Sequence, residues 1–143
     1  MVATLYNRDI LRLAASLIPD DRLELADGTA EARAPLCGSR IKAEVAFTAE
    51  HKIGALAFRA SACALGQASA AILRANAVGS DIGTVANIRA QLFDMLTAGA
   101  QPPQIWPELA LLAPAKDYAS RHAAILLPYD ALLAAAENMK AAV

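Results

Sequence analysis

Apolar and polar side chains alternate with a period of two residues through the middle of the chain, and this pattern stops near residue 62. Residues 29–34 alternate small apolar with polar side chains, and residues 40–47 place apolar residues on one face and charged residues on the other. In residues 53–62, Leu56 and Phe58 share a face. Alternation of this kind is typical of half-buried strands. The middle third is therefore predicted to form a small antiparallel sheet of about three strands.

Helical periodicity flanks this sheet. Apolar residues recur at helical spacing over residues 5–18, and an alanine-rich run over residues 64–77 predicts a second helix. A third helix is predicted to begin near residue 81 and to end at Gly99. The last helix is predicted from residue 126 or 128 to residue 139, with its proline in the first turn. Strands followed by helices predict an α+β fold, with helices packed on one face of the sheet.

Composition and charge bound the class of protein. A chain of 143 residues with 57% hydrophobic residues and a formal net charge of -1 is enough for one domain, residues 1–143, with a substantial core. No apolar run approaches the roughly 18 to 20 residues that cross a bilayer, and the N-terminus lacks the form of a signal peptide. We therefore expect a cytoplasmic protein without a membrane partner. No basic stripe is present, which removes the main electrostatic argument for a nucleic-acid partner.

The two cysteines, Cys37 and Cys63, each lie where a predicted strand meets a turn or a helix. An antiparallel hairpin between them returns its second end to the neighbourhood of its first, so we expect the two sulfurs to be close. Cytoplasmic cysteines are normally reduced, which leaves metal ligand, reactive thiol or inert core residue as the alternatives. No nucleophile elbow or glycine-rich phosphate loop accompanies them, and we expect no enzyme activity.

Several separated motifs resemble the U-type iron-sulfur cluster scaffold family, which comprises IscU, SufU and the N-terminal domain of NifU. Residues 35–40 read Pro-Leu-Cys-Gly-Ser-Arg, where the family has a Cys-Gly-Asp-Arg stretch, and Cys63 is followed by small residues and an Ala-Ser pair. Residues 127–132, Leu-Pro-Tyr-Asp-Ala-Leu, resemble the closing segment of the family. The resemblance covers nearly the whole chain. It implies an IscU/SufU-like domain that binds iron, a [2Fe-2S] cluster or zinc and passes it to other proteins.

Two of the four ligand positions that the resemblance implies hold other residues. The family site has three cysteines and an aspartate, and here the aspartate position is Ser39 while the third-cysteine position is Ala124. Cys37 and Cys63 remain as ligands, and Ser39 would bind iron well only after its hydroxyl is deprotonated. Clusters and structural zinc normally need four protein donors. As a monomer, the chain is expected to hold a cluster weakly or not at all.

Three sources of the missing donors remain open. His122 lies two residues before Ala124, and an imidazole can replace a thiolate as it does in Rieske-type centres; the alternative for His122 is a surface or helix-capping histidine. A homodimer would contribute two cysteines from each chain. An outside thiol, such as glutathione or a partner's cysteine, is the third source.

Two functional classes remain open as well. The first is a scaffold-like assembly protein whose partners, by the resemblance, are a cysteine desulfurase and recipient apoproteins. The second is a degenerate relative that binds no metal and acts as an interaction or regulatory module, for example for a cysteine desulfurase. The missing donors favour the second class, whereas the two cysteines in their family surroundings favour the first.

Overall fold

The chain forms a three-stranded antiparallel sheet with helices packed on one of its faces. A computed structural model describes residues 5–35 and 38–139. Within this described part, the strands are β1 (Gly28–Ala34), β2 (Ser39–Phe47) and β3 (Ile53–Ser61), and β2 lies in the centre. Both strand pairs are antiparallel. The predicted α+β class and the predicted sheet are confirmed.

The alternation in the sequence sets the two faces of the sheet. Ala43 of β2 lies opposite Phe58 of β3, and Val45 lies opposite Leu56; all four are buried. The charged residues between them in β2 project to the opposite face, because successive side chains of a strand point to opposite sides. We call the buried face the inner face and the charged face the outer face.

Four α-helices are described, together with two 3₁₀ segments that precede the last helix. The α-helices are α1 (Arg8–Ser16), α2 (Ala64–Ala77), α3 (Ile82–Ala98) and α4 (His122–Glu137), and the 3₁₀ segments are Pro107–Asp117 and Ala119–Arg121. Helix α4 lies on the inner face against β1 and β2, α2 packs beside it against β3, α1 covers α2, and α3 packs on α4. Within residues 5–35 and 38–139, no helix combines the length and apolarity needed to cross a membrane.

Local side chains explain where α1 and α3 begin and end. Asn7 caps α1, because its side-chain oxygen accepts a hydrogen bond from the amide of Ile10 at 3.0 Å. Asp81 caps α3 in the same way, accepting from Thr84 N at 2.8 Å. Gly99 ends α3 in the left-handed conformation with φ of 71°, which glycine adopts without steric cost. Helix α1 ends at Ser16, two residues before the predicted end.

The last helix differs from its prediction. It begins at His122 rather than near residue 126, and Pro128 lies inside the helix rather than in its first turn. Proline has no amide hydrogen, so the carbonyl of Ala124 loses its usual helical donor, which costs about 3 kcal/mol in a helix interior. Residues 124–129 are nevertheless all buried. The free energy gained by burying this apolar stretch against the sheet and α2 therefore outweighs the cost of placing Pro128 in the helix interior.

A segment between α1 and β1 crosses part of the outer face. The amide of Leu23 donates to Glu44 Oε1 at 2.9 Å, and the carbonyl of Asp21 accepts from Arg59 Nη1 at 2.8 Å. The segment then joins β1 through the amide of Asp27, which donates to the carbonyl of Val45 at 2.8 Å. It covers the part of the outer face near the start of β1, and its first residues, 17–20, border a cavity at the opposite end.

Candidate functional site

The chain neighbours of both cysteines meet at one end of the sheet. Strand β2 begins at Ser39 and β3 ends at Ser61, and Arg40 pairs with Ser61. Cys63 follows the end of β3 by two residues. Cys37 lies outside the described residues, so the prediction that the two sulfurs are close remains a prediction.

Cys63 lies at the junction of β3 and α2. It occupies the N-cap position of α2 and is half-buried, and its side chain makes no capping hydrogen bond. The backbone alone anchors the junction: the amide of Gln67 donates to the carbonyl of Cys63 at 3.0 Å, and Gln67 Nε2 donates to the carbonyl of Ala62 at 2.8 Å. The backbone of α2 thus fixes the position of Cys63, while its sulfur takes no part in capping the helix.

Ser39 lies on the inner face at the start of β2. It is 3% exposed and pairs across the sheet with Ala34. The strand alternation places it on the same side as Ile41, toward the helices. The aspartate position implied by the resemblance is therefore at the cysteine end of the sheet, but a buried hydroxyl occupies it.

Ala124 lies against the first turn of α2. Ala124 is fully buried, and a Cβ on Gly66 would come within 3.3 Å of its carbonyl oxygen. Gly66 follows Cys63 by three residues, which is about one helical turn. The predicted third-cysteine position therefore lies beside the part of α2 that Cys63 opens. Gly66 is not among the predicted site residues, although a glycine inside an alanine-rich helix is a signal of close backbone approach.

His122 makes contacts that oppose a ligand role for one of its nitrogens. Its Nε2 lies 2.8 Å from the carbonyl oxygen of Ala115 and 3.1 Å from that of Lys116. Carbonyl oxygens only accept hydrogen bonds, so Nε2 must carry the proton and has no lone pair for a metal. Only Nδ1 remains as a donor atom. These contacts support the capping alternative, because His122 ties the end of the longer 3₁₀ segment to the start of α4.

The described side chains do not form a complete metal site. Among residues 5–35 and 38–139, no three His, Cys, Asp or Glu side chains cluster in a way that could hold a metal ion. Cys63 is the described thiol at this end of the sheet, with the Ser39 hydroxyl as an oxygen donor. The donor set thus falls short of the four that a tightly held cluster or structural zinc requires.

Two cavities flank the cysteine end of the sheet, and both are lined by Arg40 and Ser61. The smaller has a volume of about 340 Å³ and also borders Pro35 and Gly38, the described neighbours of the undescribed residues 36 and 37. The larger has a volume of about 560 Å³ and is lined by residues 17–20, Glu31, Arg40, Lys42, residues 59–61 and Gln67. We call the larger cavity the basic groove.

The interface between α2 and α4 holds the site together. Ser69 is fully buried, and its hydroxyl donates to the carbonyl of Ile125 at 2.6 Å. This bond joins the helix that follows Cys63 to the helix that carries Ala124. The position of Ala124 relative to α2 is therefore fixed by a hydrogen bond as well as by close packing.

Solved structures similar to this chain cover nearly its whole length. The N-terminal, nitrogen-fixing NifU-like protein from Brucella abortus has a TM-score of 0.91 and 26% identity, over 99% of each chain. A putative iron-sulfur cluster assembly scaffold protein for the SUF system from Fervidobacterium islandicum AW-1 has a TM-score of 0.84 and 20% identity, over 94% of this chain and 98% of that chain. A third similar structure is described only as a hypothetical protein, with a TM-score of 0.82 and 22% identity. No protein-family model and no curated protein matches the chain.

Proposed function

We propose that the chain is an iron-sulfur cluster assembly protein, because it has the fold of a NifU-like N-terminal protein and because its two cysteines lie in sequence surroundings that resemble the U-type scaffold family. It binds iron, a [2Fe-2S] cluster or zinc through Cys37 and Cys63 and passes this cargo to other proteins. Its partners are a cysteine desulfurase and recipient apoproteins, and it acts in the cytoplasm, where thiols stay reduced. It is a binding protein rather than an enzyme.

The observation that carries the proposal is the placement of Cys63. The half-buried side chain of Cys63 lies at the N-cap position of α2 without making a capping hydrogen bond. Ala124 packs against Gly66, which follows Cys63 by about one helical turn. This arrangement supports a ligand site around Cys63 in which the methyl group of Ala124 takes the place of one donor. A core cysteine with no other role would not need this surrounding.

The incomplete donor set shapes how the cargo is held. Soft thiolates supply most of the affinity of such sites, and Cys37 and Cys63 provide half of the usual four donors. Ser39 contributes only if it is deprotonated, and His122 only through Nδ1. Weak and exchangeable binding suits a protein that must release what it carries. A homodimer with two cysteines from each chain would complete a site without any other residue.

A second candidate function is an interaction or regulatory module that binds no metal. The observation in its favour is that Ser39 and Ala124 replace two of the four donors. Such a protein would keep the fold, and with it the surface that a desulfurase or a complete scaffold contacts. Its cysteines would then be dispensable.

Anaerobic reconstitution with iron and sulfide separates the two candidates. We expect visible charge-transfer bands and bound iron in the wild type, and loss of both in Cys37→Ala and in Cys63→Ala. If His122→Ala binds as much iron as the wild type, the Nδ1 atom of His122 is excluded as a donor. The oligomer size of the reconstituted protein tests the homodimer. If the wild type binds no more iron or zinc than the double cysteine variant, the scaffold function is excluded and the interaction module remains.

A further inference from the structure

The floor of the basic groove is the outer face of β2 and β3, and residues 17–20 form one of its walls. Arg40 and Lys42 of β2 lie directly opposite Ser61 and Arg59 of β3. Residues that face each other across a sheet are about 5 Å apart, and residues two apart along a strand are about 7 Å apart. Four neighbouring positions of the floor therefore carry three cations and a hydroxyl.

Cations face cations across the strands at this end of the sheet. Lys42 lies opposite Arg59 of β3, and Arg40 lies opposite Arg33 of β1. Like charges directly opposite each other destabilise a sheet. Cross-strand pairing therefore gives no reason for these cations, whereas a bound anion would offset their mutual repulsion.

The carboxylates that line the groove are paired with cations outside it. Glu31 lies opposite Lys42, but its carboxylate pairs with Arg33 at 3.0 Å. The carboxylate of Asp20 pairs with Arg22 at 2.8 Å. Neither Arg33 nor Arg22 lines the groove. The two carboxylates are thus neutralised without using the cations of the floor.

Arg40 and Lys42 keep their charges for a ligand. The guanidinium of Arg59 is engaged, with the carbonyl of Asp21 and with Glu44. Within the part of the chain that the structure describes, neither Arg40 nor Lys42 forms an ion pair, and Lys42 acts on Glu44 only through its charge. Lys42 is also half-buried, and burial of a charge without a partner is unfavourable. The floor therefore presents two positive charges that an anion would balance.

The donors of the floor indicate the chemistry of that anion. The side chains of Arg40 and Lys42 only donate hydrogen bonds, and the hydroxyl of Ser61 can donate as well. A phosphate monoester carries a charge of about -1.5 to -2 near pH 7 and three strong acceptor oxygens. A carboxylate carries a single negative charge and would leave one of the two cations unbalanced. The floor thus matches a phosphate group in charge and in hydrogen bonding.

The groove is much larger than a phosphate group, and one side of it is apolar. Its volume of about 560 Å³ lies in the range of about 300 to 1,000 Å³ that is typical of small-molecule sites. Leu17, Ile18 and Pro19 line it beside the cations, and no aromatic side chain is found among its described lining residues. A nucleobase would therefore have no stacking partner. A phosphate on the floor leaves room for a small organic group against the apolar wall.

We propose that the basic groove binds a small organic phosphate monoester. The guanidinium of Arg40 contacts two phosphate oxygens, Lys42 adds a second positive charge, and Ser61 donates from its hydroxyl. The organic group lies against residues 17–19. Binding is non-covalent and requires no metal, since no cysteine or histidine is found among the described residues that line the groove. The site is therefore independent of the proposed cargo site.

Phenyl phosphate tests the proposal, because it combines a phosphate monoester with a small apolar group. In ¹H-¹⁵N correlation spectra of the metal-free protein, we expect it to shift the amides of Arg40, Lys42, Arg59 and Ser61. The amides of α3, which does not line the groove, should not move. Absence of the strand shifts, or shifts of equal size in α3, would overturn the proposal.

Three further probes identify the ligand class in the same titration. Phenyl sulfate has the shape of phenyl phosphate but a single negative charge, and it should bind about tenfold more weakly. Inorganic phosphate lacks the organic group and should also bind more weakly. Equal binding of phenyl sulfate would overturn the assignment to a phosphate dianion, and equal binding of inorganic phosphate would overturn the role of the apolar wall. Tighter binding of a phosphoserine peptide than of phenyl phosphate would overturn the assignment to a small molecule.

Charge variants identify the floor of the groove as the binding site. Arg40→Gln and Lys42→Gln should each weaken phenyl phosphate binding about tenfold, the size expected for one hydrogen bond between charged groups. Arg12→Gln is the matched control, because Arg12 is an exposed cation of α1 paired with Asp9. Equal weakening in all three variants would reduce the effect to net charge and overturn the assignment of the groove.

Discussion

Gly66 of α2 packs closely against Ala124 of α4, so that a Cβ on Gly66 would make a tight contact with the Ala124 backbone. A Cβ on Gly66 would lie 3.7 Å from the Ala124 Cβ and 3.3 Å from the Ala124 carbonyl oxygen. That carbonyl has lost its usual helical donor, since Pro128 has no amide hydrogen. The residue at the third-cysteine position is thus placed by two features of different helices, the glycine of α2 and the proline of α4.

Ala124→Cys should restore a thiolate beside Cys63. We expect more iron per chain and slower loss of iron to a chelator than in the wild type. The added sulfur enters a packed interface, so a loss of about 1 to 3 kcal/mol in the free energy of unfolding is expected as well. Ala123→Cys is the matched control, because residue 123 is exposed and adjacent. Equal iron retention in the two variants would contradict the assignment of residue 124.

The buried bond between Ser69 and Ile125 should contribute to stability. Ser69→Ala removes the hydroxyl and leaves the Ile125 carbonyl without this donor, which should lower the free energy of unfolding by about 1 kcal/mol. Ser16→Ala is the control: Ser16 also donates to a backbone carbonyl at 2.6 Å, but in an exposed turn of its own helix. Urea denaturation of both variants measures the difference. A smaller loss for Ser69→Ala than for Ser16→Ala would refute the role of burial.

Gly28→Ala should be among the most destabilising small substitutions in the chain. A Cβ on Gly28 would collide with the backbone carbonyl of Ala135 in α4, and neither backbone can move without separating β1 from the helix. We expect a loss of about 3 kcal/mol in the free energy of unfolding. Gly83→Ala, in α3, meets only Asp81 Oδ1 at an ordinary 3.5 Å and should gain about 0.5 kcal/mol from helix propensity. Thermal denaturation that ranks the two variants in the opposite order would rule out the close contact.

The ion pair of Glu44 predicts a loss of stability in acid. Partial burial alone would raise the pKa of Glu44, but hydrogen bonds from the Leu23 amide and from Arg59, with the charges of Arg59 and Lys42, hold that pKa below its ordinary value. A carboxyl whose pKa is lower in the folded state contributes stability above the unfolded pKa. That contribution disappears as the pH falls through the folded pKa.

Urea denaturation between about pH 6 and pH 3 measures this effect. Glu44→Gln should be less stable than the wild type at the upper end, and the gap should close toward the lower end. Glu50→Gln, in the exposed turn between β2 and β3, should follow the wild type throughout. A gap between Glu44→Gln and wild type that is constant across this range would contradict the prediction.

The sequence pattern carries different amounts of information about different parts of the chain. Strand alternation located β1 to β3 to within two residues, because burial of one face leaves a period-two signal in each strand. Helix α2 was predicted at its observed bounds, 64–77, since it is flanked by a strand end and by Gly79. The predicted start of α4 was wrong because of Pro128. The free-energy cost of a proline inside a helix is local, whereas the burial that offsets this cost comes from contacts with distant residues.

The site was predictable only in part for the same reason. The resemblance implied that Cys63 and the positions of Ser39 and Ala124 belong to one site, and this stays a prediction; Ser39 begins β2 and Cys63 closely follows the end of β3, at the same end of the sheet. The contacts of His122 with the Ala115 and Lys116 carbonyls arise from the turn between the 3₁₀ segments and α4, which has no periodic signal. The basic groove likewise depends on how residues 17–20 pass the sheet, and no local pattern encodes that path.

The packing of α4 on β1 and β2 sets an order for synthesis of the protein. The inner face of β1 and β2, within a sheet made from residues 28–61, is covered by a helix that begins at residue 122. While the ribosome is still producing the middle of the chain, this apolar face has no permanent cover. The native fold is thus completed only after α4 emerges, and until then the exposed apolar surface of the nascent sheet is prone to aggregation.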